Sequence, residues 1–304
     1  MSVTLLNLKT IRILTLAGLA SLFVGCSSNG GNSDSDDTIS VDNEALQKEK
    51  ILKDAKRVML SLPSPIETAM LIKRAGAKYN EDLLNPTTNA ANYTTNKSMA
   101  MAMGIYGADL SYASIFDQTQ TVMKYMATSK KLADALGLLS SIDQNIIKRM
   151  ESNVNDRDSI IRIISETFMN SNSSLKEDNR PALAALILTG GWIEGLYIAT
   201  SVTKSSKDKE LIERIVDQRL SFNDMTKLLE QNSDNPDCAQ LLTSLAPVKA
   251  AFDAIKVQTS DIVPVTDKDS KITTLKATSK VIITEDQFKK LKEESLKLRT
   301  ALIK

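Results

Sequence analysis

From Glu44 onward, apolar side chains recur at three- and four-residue spacing, the period of one helix face. Leu46, Ile51, Leu52, Ala55, Val58, Met59 and Leu62 form the first stripe, with Lys and Glu opposite and Pro63 as its stop. Ser64-Pro65-Ile66-Glu67 then reads as a fresh start, with Ser64 as N-cap, proline at the first helical position and Glu67 closing a capping box. Similar boxes recur at Ser141-Ile142-Asp143-Gln144, Ser174-Leu175-Lys176-Glu177 and Thr284-Glu285-Asp286-Gln287. Gly137 ends a helix over 130–136, and Asn235-Pro236 opens another. The stripes add up to about nine or ten helices, which makes the fold class all-α, a multi-helix bundle. One stretch departs from that period. Near 271–284, Lys271-Ile272-Thr273-Thr274-Leu275 and Lys280-Val281-Ile282-Ile283 are β-branched and predict a small hairpin or extended segment. The last helix, over 285–303, carries Phe288, Leu291, Leu296, Leu298 and Leu302.

A weak internal echo runs through the helices. Lys148-Arg149-Met150-Glu151-Ser152-Asn153 parallels Lys227-Leu228-Leu229-Glu230-Gln231-Asn232, and Asp109-Leu110-Ser111-Tyr112 parallels Glu194-Gly195-Leu196-Tyr197. Two pseudo-repeated halves would explain both; chance similarity of helix ends explains them nearly as well.

The N-terminus follows a different rule. Lys9 and Arg12 supply a basic start, 13–24 is an apolar stretch too short to span a bilayer comfortably, and Leu22-Phe23-Val24-Gly25-Cys26 closes it. This segment resembles a bacterial lipoprotein signal, whose lipobox is cut before the cysteine so that Cys26 carries acyl chains. Phe23 departs from the usual Leu or Val at its position. The resemblance implies a signal peptide over 1–25 and a lipid-anchored mature chain beginning at Cys26. Residues 27–43 are Ser, Asn, Gly and Asp with hardly an apolar side chain, which predicts a flexible tether over 26–43 and a helical domain over 44–304. Because Ser27-Ser28-Asn29-Gly30 follows the cysteine and acids arrive late, a periplasm-facing place in the outer membrane is favoured over the cell surface.

Composition narrows the function more than it identifies it. Histidine is absent, which removes Ser-His-acid and Cys-His catalysis and the usual zinc ligand sets. Losing Lys9 and Arg12 with the signal leaves 36 basic against 37 acidic residues, so nothing in the charge calls for nucleic acid. Of the two cysteines, Cys238 sits among Ala239, Leu241 and Leu242 and reads as a small buried apolar residue. No cofactor or metal is expected. Met99, Met101, Met103, Met123 and Met126 fill core space better than they ligate, since alternate spacing splits Met99 and Met101 between helix faces.

Two helices stand apart as glycine-bearing and apolar nearly all round, one over 99–113 and one over 181–200. Interior glycines cost about 1 kcal/mol each against alanine, so close backbone approach is the expected reason for them. The second is long enough to span a membrane, but three glycines and Glu194 make it a core helix instead. Asp109 and Glu194 are the candidate site. A carboxylate amid apolar faces must be paired, protonated or cavity-lining. Tyr106, Tyr112, Trp192 and Tyr197 lie within a turn of these acids and would line a small-molecule or lipid pocket between the central helices. The competing reading is structural, with each acid paired to an internal arginine, Arg180 or Arg157.

The region 44–252 resembles a group of helical, lipid-anchored envelope proteins of unknown function from Bacteroidota-type bacteria. The resemblance rests on Gly104-Ile105-Tyr106-Gly107-Ala108-Asp109-Leu110-Ser111-Tyr112-Ala113, on Asn155-Asp156-Arg157-Asp158-Ser159 and on Gly190-Gly191-Trp192-Ile193-Glu194-Gly195-Leu196-Tyr197. It implies an all-α fold and an envelope location and brings no catalytic residues with it. The expectation is a non-catalytic interaction or scaffold module with an envelope protein partner, and the alternative is the ligand-binding pocket.

Overall fold

The computed structural model describes residues 65–303 apart from 139–143, 154–155, 157, 165, 167–179, 205–208, 262, 267–272 and 277–278. The signal segment, Cys26, the tether, the stripe over 44–62 and the boxes at Ser64, Ser141 and Ser174 lie outside the described residues.

The described chain is an all-α multi-helix bundle. Its helices are α1 (Pro65–Arg74), α2 (Asn96–Ile115), α3 (Thr119–Ala135), α4 (Gln144–Ser152), α5 (Pro181–Val202), α6 (Lys209–Glu230), α7 (Pro236–Asp253) and α8 (Glu285–Leu302). A further helical stretch covers 158–164. Between α1 and α2 the chain makes two short 3-10 turns, Glu81–Leu83 and Thr87–Asn92.

Local chemistry sets the helix ends. Thr284 and Gln287 exchange side-chain and backbone hydrogen bonds in the capping box at the start of α8. Asn235 accepts from the backbone N–H groups of Asp237 and Cys238 ahead of Pro236, as its sequence position predicts. Thr95 forms a box with Ser98 at α2 that sequence reading passes over, because Ser replaces the usual Glu or Gln. Gly137 takes φ +68° just past α3 and ends it.

The two apolar glycine helices, α2 and α5, form the central pair. Around them α1 and α3 pack on α2, while α6 and α8 pack on α5, and α7 bridges α6 and α8. Gly104 and the Gly190-Gly191 pair let the two backbones touch. A Cβ at Gly104 would stand 2.0 Å from the carbonyl oxygen of Ile187, and one at Gly190 would stand 2.3 Å from that of Met101. Gly107 and Gly195 have no such reason, since a Cβ at either meets nothing within 4 Å. Gly107→Ala and Gly195→Ala are therefore expected to stabilise the fold by about 0.5–1 kcal/mol each, read as raised denaturation midpoints.

Helix α5 is long and apolar enough to cross a membrane, yet 89% of its most apolar window is buried inside the protein, so it is the core helix its composition predicted. Cys238 is likewise buried, and burial pushes its thiol up to about 11. Met101 is buried, and Met99, Met103 and Met126 pack against the same core.

The extended segment is present, but its strands do not pair with each other. β1 (Lys256–Thr259) pairs antiparallel with β4 (Ser279–Ile282), and β2 (Val263–Thr266) with β3 (Thr273–Lys276). The partner arm is 256–266, where the run Ile262-Val263-Pro264-Val265 breaks the alternation of apolar and polar residues and a proline sits inside the strand, so no clean period-2 signal marks it. Leu296 also differs from expectation. It is 46% exposed, because α8 turns its Phe288–Leu291–Ser295–Leu298 face inward.

Candidate functional site

Asp109 sits two turns before the end of α2 and Glu194 is central in α5; both side chains are 0% exposed. The two acids lie on the two helices of the central pair, close enough that each acts on the other's ionisation. The third member is Arg299 of α8, 6% exposed. Its Nε donates to Glu194 Oε2 at 3.0 Å and Oε1 at 3.3 Å, and its Nη2 donates to Oε1 at 3.0 Å. This two-pronged geometry suits the planar guanidinium. Tyr197, one turn beyond Glu194, lies under the guanidinium with its ring centroid 4.6 Å from Cζ.

The segment between α1 and α2 completes the cluster. Asn85 is fully buried and uses all four of its polar groups. Its N–H donates to Asp109 Oδ2 (3.1 Å) and its side-chain amide to Tyr93 Oη (2.9 Å). Its Oδ1 accepts from Asn89 (2.9 Å) and its carbonyl from Tyr125 of α3 (2.9 Å). Arg299 Nη2 also donates to the carbonyl of Leu83 (3.1 Å), and Tyr106 donates to that of Pro86 (3.0 Å). The outcome is one polar seam through α2, α3, α5, α8 and the 83–93 segment, buried within the core.

Burial dominates its electrostatics. Asp109 is raised well above the usual carboxylate range, first by desolvation and then by Glu194 beside it. Burial also raises Glu194, against the opposing pull of Arg299. The surrounding tyrosines Tyr93, Tyr106, Tyr125 and Tyr197 are all raised by burial and stay neutral.

The six residues expected to line one pocket divide into three neighbourhoods. Asp109, Glu194, Tyr106 and Tyr197 belong to the seam. Trp192 faces elsewhere: its Nε1 donates to Ser221 (3.1 Å), and its ring packs on Phe222 and Phe252 at 5.2 and 6.3 Å. Tyr112 stacks on Tyr79 at 5.4 Å and accepts from the N–H of Asn80. Helical geometry explains the split, since Trp192 and Glu194 are two residues apart and so project to different faces.

The arginine partner also differs from the two candidates. Arg180 donates to the carbonyl of Leu136 instead (2.9 Å), and Arg157 lies outside the described residues. Arg299 was legible in principle, because its spacing of eight from Leu291 and four from Ser295 places a cation on the buried stripe of α8. Asn85 carried no comparable signal.

No protein family's sequence model matches the chain, and neither a curated protein nor a solved structure is significantly similar to it.

Proposed function

We propose that the protein is a non-catalytic, lipid-anchored cell-envelope protein whose helical body serves as an interaction or scaffold module. Acyl chains on Cys26 would hold it in the outer membrane, and 27–43 would let the body move relative to that anchor. The anchor rests on the lipobox-like run ending in Gly25-Cys26 after a basic start and a short apolar stretch. The non-catalytic half rests on one observation: the acids best placed for chemistry are sealed from solvent and committed to Arg299, Asn85 and each other. An acid or base that works on a substrate must reach it.

The rival reading, a small-molecule or lipid pocket around Asp109 and Glu194, would have a ligand meet the carboxyl oxygen of Asp109 that accepts from no donor. A proton shared between the two acids meets the same need without a ligand, which favours the scaffold reading.

Cys26→Ala in the full-length chain is the test. The variant is expected to leave the membrane fraction and to lose incorporation of labelled fatty acid. A variant that stays with the membrane and keeps its label would overturn the anchor.

A further inference from the structure

Two acids and one base are closed together where α2, α5 and α8 meet, and their charges do not balance. Arg299 engages both oxygens of Glu194. Asp109 receives a single donor, the N–H of Asn85 on Oδ2, while its buried Oδ1 has no donor among the described residues. Two carboxylates in contact away from water do not both ionise. The groups facing Asp109 are Glu194 and Tyr197 from α5, Arg299 from α8, Tyr125 from α3, Tyr79 from just after α1 and Tyr106 from its own helix. The tyrosines are neutral, so Arg299 is the cation set against both acids, and it is spent on Glu194.

We propose that Asp109 is a neutral carboxylic acid donating its proton to Glu194, and that this shared proton pins a clasp holding the end of α8 and the 83–93 segment to the central pair. The clasp has three arms. Arg299 ties α8 to Glu194 and to the Leu83 carbonyl, Asn85 ties the segment to Asp109, and Asn89 donates to the carbonyl of Ile303 just past α8. Removing the proton adds an uncompensated negative charge against Glu194 and loosens all three.

The sign of the pH dependence follows. The closed form keeps a proton that the open form releases, because burial and Glu194 raise Asp109. Closure is therefore strongest below the ordinary aspartate value of about 3.9. It weakens as pH rises above that value and levels off once Asp109 ionises in the closed form.

Native-state hydrogen exchange on the lipidated full-length protein, corrected for intrinsic rates, tests this. Opening of the last turn of α8 and of 85–93 is expected to increase by up to about tenfold per pH unit, the slope of one proton. D109N, which mimics the neutral acid, should abolish that slope. In the wild-type chain at neutral pH, infrared spectra should show a protonated-carboxyl stretch that moves on 13C labelling of aspartate. A pH-independent opening, a D109N variant with the wild-type slope, or a missing carboxyl stretch would each overturn the proposal.

Discussion

Arg299→Met is expected to lower unfolding stability by about 3–5 kcal/mol, measured by denaturant titration at neutral pH. Arg299 is 6% exposed, and its guanidinium holds both oxygens of Glu194, which is 0% exposed. Removing the cation leaves Glu194 to be buried uncompensated or to take up a proton, and strips the Leu83 carbonyl of its donor. The stability lost does not measure the worth of the ion pair. Most of it is the penalty for stranding a charge where water cannot reach. The exposed pair Lys249–Asp253 offers the contrast, because its removal is expected to change stability by less than about 1 kcal/mol.

Gly104→Ala should be the other severe change, although one methyl group is the whole alteration. The added Cβ would lie 2.0 Å from the Ile187 carbonyl oxygen and 2.6 Å from the Gly191 nitrogen, both backbone atoms of a helix that cannot turn aside. Alanine's helix propensity returns about 1 kcal/mol, which cannot offset separating α2 from α5 along their contact. A net loss of about 3 kcal/mol, the upper end for overpacked cores, is expected as a lowered thermal midpoint. Seating α2 and α5 further apart would also pull Asp109 from Glu194, so packing and polar seam should fail together. Gly107, three residues on, serves as the internal control because its Cβ would enter open space.

Much of the fold was legible because helical order is written locally. The Thr284 and Asn235 caps, the Gly137 stop and the all-round apolar character of α2 and α5 each follow from residues within a few positions of one another. The ribbon was only half legible. β3 and β4 look like neighbours in sequence, yet β3 pairs with β2 and β4 with β1, and strand pairing is not a local property. The site shows the same division. Asp109 and Glu194 stood out as acids in apolar surroundings, but their partners come from the 83–93 segment and from the last turn of α8, 105 positions beyond Glu194. Trp192 and Tyr112 were drawn into the candidate pocket by proximity along the chain; Trp192 is two residues from Glu194 and so on another face, while Tyr112, three from Asp109, is taken up by Tyr79 and Asn80.

The reading of the helical body as a non-catalytic module depends on these acids being consumed by internal structure. A double-mutant cycle between Glu194→Gln and Arg299→Met measures that most directly, using unfolding free energies of the two single variants and the double variant. Each single change strands one buried charge, whereas the double change strands no charge. The predicted result is that the double variant is far less destabilised than the sum of the singles, with a coupling of about 2–3 kcal/mol. Additivity within about 0.5 kcal/mol would contradict the account, because the two side chains would then not be spending their charge on each other.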